Sequence, residues 1–317
     1  MSQQTSKKSL YIKAVVAANI LLLVVFSLPF LSSAKSREIF VDDDAKGKQD
    51  GSAENPFKTI SAAIKKAKKD DKIFVRPGKY KENITIPEEV EVHGADRDDV
   101  TIEAKDDDEP VVRMKDDTEI SKVTIKGGEV GIEVGRDDED ILIYKVIVKD
   151  NDEDGIRIKE GSSSKSDPVT ISKSTIRDND WNGLYSKKRR VVLVGNEIYD
   201  NGRDGIELAA GSSSWMEDNT FRDNERTGMK LTLDGSEIWT KNNAFRNNSK
   251  DGIEISAFGR EGRIDISKAK FTGNDGYAIA RVQKEPFGAS VWNGFTSDAR
   301  NYFLGNGKGN VSPVIRK

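Results

Sequence analysis

Between about residues 140 and 280 the chain writes one phrase again and again. The phrase is a β-branched or aromatic residue, two variable positions, an Asn, three variable positions, a Gly, then an apolar-x-apolar triplet. Its copies run Val148, Asn151, Gly155, Ile156, Ile158; Ile176, Asn179, Gly183, Leu184; and Ile198, Asn201, Gly205, Ile206, Leu208. They continue with Phe221, Asn224, Gly228, Met229, Leu231 and Phe245, Asn248, Gly252, Ile253, Ile255. A weaker copy stands at Phe271, Asn274, Ala278, Ile279. Successive glycines are 28, 22, 23 and 24 residues apart. A period of that size means stacked supersecondary units, because one unit cannot bury its apolar face alone.

Apolar and polar residues alternate with period two, so the units are strands. Further short strands precede each phrase, at Ile141/Ile143, Val169/Ile171, Val191/Leu193, Ile238 and Ile264/Ile266. No interval is long enough for a helical crossover. An all-β parallel β-helix, a single-stranded solenoid, is the architecture this predicts. The spacing of leucine-rich repeats and the Trp-Asp signature of propellers are both missing. The recurrent Asn is expected to form an interior ladder, and the Gly to supply positive φ or a close backbone approach.

Stacking also predicts outward rows. The middle residues of the triplets give Arg157, Tyr185, Glu207, Lys230 and Glu254 on one face, about 4.8 Å apart. Carboxylates beside Lys, Arg and Tyr can bind a glycan or act on it as acid and base; the same alternation also serves as a solubilising charge ladder. A second row holds Leu142, Thr170, Val192, Trp215, Trp239 and Asp265. Trp215 and Trp239 are one period apart and point outward by strand parity, between inward Ser214/Met216 and Ile238/Thr240. Two adjacent indoles form a platform that stacks on sugar rings, unless a loop or the C-terminal aromatics Trp292, Phe295, Tyr302 and Phe303 pack over them. Asp150, Asp152 and Asp154 before Gly155 spell the first half of a calcium loop. Position 161, where a closing Glu belongs, is Gly161, and later coils repeat the same turn, so turn chemistry comes before calcium. The basic run Lys187–Arg190 reads as a solvated loop or a contact for an anionic polymer.

Composition narrows the chemistry. The chain has no Cys and one His, His93, which excludes thiolate catalysis, histidine triads and multi-histidine metal sites. Net charge is -3, so no global field attracts nucleic acid, and no cofactor is required. A monomer is expected. Lys7, Lys8 and Lys13 precede an apolar run over residues 14–31, then Ser32-Ser33-Ala34. This reads as a secretory signal or an uncleaved membrane anchor within residues 1–34, with the remainder extracytoplasmic, secreted or anchored. Residues 35–104 are expected to form a cap and first coils, with an amphipathic capping helix over 57–69; 105–310 the main coils; and 311–317 a tail.

The cap carries a specific resemblance. Asn55-Pro56-Phe57-Lys58-Thr59-Ile60, Ala62-Ala63-Ile64 and the stretch from Ile73 to Ile84 resemble the opening of the pectin-lyase-like superfamily. The downstream phrases resemble repeats of carbohydrate-binding and sugar-hydrolase modules, including the periplasmic NosD type. The resemblance implies a right-handed β-helix with an N-terminal capping helix, and a polysaccharide or glycan as partner. It implies no single activity, since the fold hosts lyases, hydrolases, esterases, epimerases and non-catalytic spikes. The esterase, polygalacturonase and epimerase signatures are absent. Two functions follow as expectations: an exported protein that binds, and as a lyase or hydrolase processes, an envelope polysaccharide; or a non-catalytic structural or adhesive surface protein. A NosD-type role in metal-centre maturation is disfavoured by the lack of Cys and near lack of His.

Overall fold

The computed structural model describes residues 36–162, 167–257, 260–283 and 289–316. The apolar run 14–31, read as signal or anchor, lies outside them. No helix among the described residues is long and apolar enough to cross a membrane.

The described strands form three parallel sheets of eleven, ten and ten strands. Each coil adds one short strand to each sheet in turn. The first sheet runs from Glu38–Val41 to Phe295–Ser297, the second from Gly78–Lys81 to Tyr302–Leu304, and the third from Ile84–Ile86 to Gly309–Arg316. The repeated triplets pair as expected: Ile156 with Leu184, Leu184 with Ile206, Ile206 with Met229, and Met229 with Ile253. This column is fully buried and fills the bore with aliphatic side chains. The residue that opens each phrase makes its own column, Val148, Ile176, Ile198, Phe221, Phe245, Phe271 and Phe303. Its four phenyl rings stack at centroid separations of 5.0, 4.9 and 5.3 Å. Residues 311–317, expected as a tail, instead contribute most of the strand Gly309–Arg316, with Lys317 outside the described residues. Val311, Val314 and Ile315 continue the registers of Ile279, Arg281 and Val282.

The asparagine ladder exists. Asn151 Nδ2 donates to Asn179 Oδ1 (2.8 Å), Asn179 to Asn201 (2.9 Å), Asn201 to Asn224 (3.0 Å) and Asn224 to Asn248 (3.0 Å). Asn248 and Asn274 carry it on to Asn274 and Asn306, at 2.8 Å each. Of the two reasons offered for the glycine, the close approach is the operative one. A Cβ on Gly205 would lie 2.5 Å from the Gly228 carbonyl and 2.9 Å from Asn224 Nδ2. Positive φ falls instead on the residue before each Asn: Asp150, Asp178, Asp200, Asp223 and Asn247, at 50–54°. Asp and Asn tolerate that backbone better than other residues with a Cβ.

The helix expected over 57–69 is shorter here, five residues from Ile60 to Ile64. Thr59 caps it by accepting the Ala62 N–H at 3.1 Å. Glu82 accepts the Ile60 and Ser61 N–H groups at 2.8 and 2.9 Å. Ile60 and Ala63 enter the core. Past the helix the chain is held by buried Asp71, whose carboxylate takes the Lys68 N–H (2.8 Å) and the Arg37 guanidinium (2.5 Å). Those bonds suit a turn, and the lysine-rich end does not continue as helix.

Asn224→Ala is expected to cost about 2 kcal/mol, because it takes the buried ladder acceptor from Asn201 and the ladder donor from Asn248 and leaves each with fewer hydrogen bonds. The urea midpoint falls at unchanged slope. An unaltered midpoint would show that the ladder does not hold the coils.

Candidate functional site

Both predicted outward rows are real. On the third sheet, Arg157 pairs in register with Tyr185, Tyr185 with Glu207, Glu207 with Lys230, and Lys230 with Glu254. The row extends backwards through Glu133 and Arg113. Its charges are largely matched within the chain. Lys230 Nζ lies 2.7 Å from Glu207, Arg157 is held by Asp154 at 2.8 Å and by Glu153, and Glu133 takes Lys159 at 2.9 Å. Burial and the neighbouring Glu207 push the Tyr185 phenol up, so it stays a neutral hydrogen-bond donor and acceptor.

Beneath this row runs a buried polar column, Asp154, Asn182, Asp204 and Thr227. Asn182 donates to Asp154 Oδ1 at 3.0 Å, the Asp204 N–H to Asn182 Oδ1 at 3.2 Å, and the Thr227 N–H to Asp204 Oδ1 at 3.0 Å. The other Asp204 oxygen is buried without a hydrogen-bond partner. At the far end of the same stretch, Asp251 accepts the Tyr277 N–H at 2.6 Å. Burial pushes the Asp154 and Asp251 carboxyls above their usual range. Sequence reasoning missed Trp181 beside the row. Arg203 lies over its ring at 3.9 Å and Arg157 at 5.7 Å. It also missed that Arg203, Arg226 and Lys250 stand in one column, linked by backbone bonds of 3.1 and 2.9 Å. The signal was present as the residue two places before each phrase's Gly, but the phrase treats that position as variable.

On the first sheet, Trp215 pairs with Trp239, with Val192 on one side and Asp265 on the other. Both indoles are half-buried, and their strand neighbours Ser214, Met216, Ile238 and Thr240 are buried, as parity requires. The adjoining outward row places the Glu217–Lys241 pair (2.6 Å) alongside, and Arg263 holds Asp265 at 2.8 Å. Apolar faces with polar groups at their margin are what a sugar ring, with its C–H faces and equatorial hydroxyls, fits. Phe295 and Phe303 build the last coil of the first and second sheets, and Trp292 meets Phe295 edge-on at 6.5 Å.

Asp150, Asp152 and Asp154 are not brought together. Asp150 is exposed and pairs with Lys149 at 3.0 Å, Asp152 is exposed, and Asp154 turns inward to Arg157 and Asn182. The triplet is not among the carboxylate groups with oxygens within 4.8 Å of one another. The basic run Lys187–Arg190 is not a free protrusion either. Lys187 and Lys188 grip Glu160 at 2.9 and 2.7 Å. Arg189, 2% exposed, donates to the carbonyls of Gly135 (2.7 Å) and Arg136 (3.0 Å).

The family described as "Right handed beta helix region" matches residues 102–232 and 130–286, together more than half of the sequence. The chain belongs to this family. Among solved structures, this right-handed β-helix is similar to the pectate lyase Pel9A, with 15% identity, 90% of this chain and 79% of that one covered, and a TM-score of 0.62. It is also similar to an alginate lyase from Paenibacillus sp. str. FPU-7, with 14% identity, coverage of 88% and 99%, and a TM-score of 0.60. These likenesses establish the pectin-lyase-like fold. No curated protein sequence matches the chain.

Because the folded Asp251 carboxyl binds its proton more readily than the unfolded one, stability falls as pH rises through the folded pKa. Asp251→Asn is therefore expected to raise the melting temperature at pH 7. The gain disappears below about pH 4, where the carboxyl is protonated in both states. A gain that is the same at both pH values would refute this.

Proposed function

We propose that this right-handed β-helix binds a cell-envelope or extracellular polysaccharide on the first sheet, with Trp215 and Trp239 as the stacking platform. The observation that carries the reading is the register pairing of two half-exposed indoles on one parallel sheet. Rigid aromatics lose little side-chain entropy on binding, and neighbouring coils present them at a fixed separation. The solved relatives named pectate lyase and alginate lyase support a polysaccharide as the ligand class. Processing of the polymer would fall to the third-sheet row of Arg157, Tyr185, Glu207, Lys230 and Glu254. Its internal ion pairs favour binding over catalysis, and they also support the alternative of a non-catalytic surface or adhesive protein. In this reading the protein is exported, with residues 14–31 as signal or anchor. It acts as a monomer, needs no cofactor to stack on sugars, and uses the short helix Ile60–Ile64 to close the first coils.

The test is a glycan array with the full chain and a Trp215→Ala/Trp239→Ala variant. Loss of both indoles is expected to weaken binding by about 2 kcal/mol, roughly thirtyfold in Kd. Trp→Phe at either site retains most of the affinity. Silence on every glycan would favour the structural or adhesive alternative, and product carrying an unsaturated uronate would establish a lyase.

A further inference from the structure

Where the first sheet gives way to the second, each coil turns a tight corner on a residue with positive φ. In three successive coils that residue is lysine: Lys122 at 56°, Lys145 at 53° and Lys173 at 52°. The coils that follow put Gly195, Asp218 and Asn242 in the same place, residue types for which left-handed backbone comes more easily, and the next coil returns to a single lysine, Lys268, at 52°. The Lys122 N–H donates to the Tyr144 carbonyl (3.1 Å) and the Lys145 N–H to the Ser172 carbonyl (3.0 Å), which holds the three lysines in a column. One coil, about 4.8 Å, separates each from the next.

All three lysines are exposed, and among the described residues none has a carboxylate within ion-pair distance. The Tyr144 ring gathers two of them, with Lys145 Nζ 5.3 Å and Lys173 Nζ 5.8 Å from its centroid. Residues 95–99 form a longer corner in the earlier coil and hang over the column. Thr124 Oγ1 donates to the Arg97 carbonyl at 2.7 Å, and Arg97 Nη1 reaches the Lys173 carbonyl at 3.4 Å. Loop and column line an open groove of about 540 Å³, whose walls carry Arg97 and the three lysines together with Asp96 and Asp98.

The Tyr144 ring accounts for part of the charge of Lys145 and Lys173, but among the described residues no ion pair neutralises any of the three. Lysine is a poor residue for left-handed backbone, and like charges one strand apart repel. We infer that this corner is a binding site for a linear polyanion, whose oxyanion groups run along the solenoid axis and bridge successive ammonium groups. A bound oxyanion relieves the repulsion, and the fixed corner presents the cations already spaced. The site lies apart from the tryptophan platform and does not depend on it.

The test compares the full chain with Lys122→Asn/Lys145→Asn/Lys173→Asn. Asn accepts positive φ, so the triple variant keeps its circular dichroism and melts no lower than the parent. Calorimetric titrations use polygalacturonate and inorganic polyphosphate at low and high salt, with uncharged dextran as control. The parent is expected to bind at least one polyanion, with an affinity that falls as salt rises and at least a tenfold loss in the variant. Whichever polymer binds identifies carboxylate or phosphate as the oxyanion. A single Lys145→Gly variant, easier still for the backbone, gives an independent reading of about threefold. Equal affinity of parent and folded variant overturns the inference, as does absence of any polyanion binding at low salt. Binding lost in the tryptophan double variant but kept in the lysine triple also overturns it, while leaving the platform reading intact.

Discussion

The side-chain amide of Asn in each phrase copies the register of one coil onto the next. Asn201 shows how. Its Nδ2 donates to Asn224 Oδ1 at 3.0 Å and to the Tyr199 carbonyl of its own coil at 3.1 Å, while its Oδ1 accepts from Asn179 Nδ2 at 2.9 Å. Donor and acceptor are both used, and the residue is fully buried. A parallel strand that slips by one residue turns its core face to solvent. Here such a slip would also strand buried amides above and below, at about 1–3 kcal/mol for each group. The glycine immediately before the phrase's triplet enforces the same spacing from the other side, since a Cβ at Gly228 would meet the Gly252 carbonyl at 2.8 Å. Every surface row described above inherits its alignment from these contacts.

The sequence made the stacked rows legible because the phrase fixes which residues share a column. Trp215 beside Trp239, and Glu207 beside Lys230, follow from counting one period along the chain. What escaped depends on partners the period does not reveal. A second ladder joins Asn196 to Asn219 and Asn219 to Asn243, at 2.9 Å each, at the corner between the first and second sheets. It was hidden because Ser174 and Ala269 take that position in neighbouring coils; the Ser174 N–H still donates to Asn196 at the start of the ladder, and the Ala269 N–H to Asn301 in the coil beyond it. The early end of the helix expected over 57–69 escaped for another reason. That end is set by Asp71 and Arg37, 34 residues apart, and no local pattern announces that pair.

The single histidine illustrates how an outward position can be absorbed by its neighbours. His93 lies between Phe74 and Ser121 in register. Its Nε2 is 2.9 Å from Glu91 and its Nδ1 2.8 Å from Ser121, with Glu119 3.5 Å away. The three ligand-bearing residues sit within 4.8 Å of one another. Lys72 already neutralises Glu91 at 2.7 Å, however, and the two ring nitrogens face different partners. That arrangement is a polar network spanning three coils, in keeping with a structural histidine.

In a solenoid, inner positions answer to packing and corner positions to turn geometry, so a residue that satisfies either demand says little about function. The third-sheet row is such a case: its charges alternate and pair, which keeps a flat sheet hydrated without any ligand. Informative positions are those where the local demand is met poorly. Two large indoles left half-exposed side by side gain little for folding compared with burial. Three lysines stacked at successive left-handed corners, where later coils use Gly195, Asp218, Asn242 and one isolated Lys268, repel one another. Both departures lie along the first sheet, the indoles on its face and the lysines at its edge. In both proposals a ligand on the surface offsets a cost that the fold alone leaves unmet.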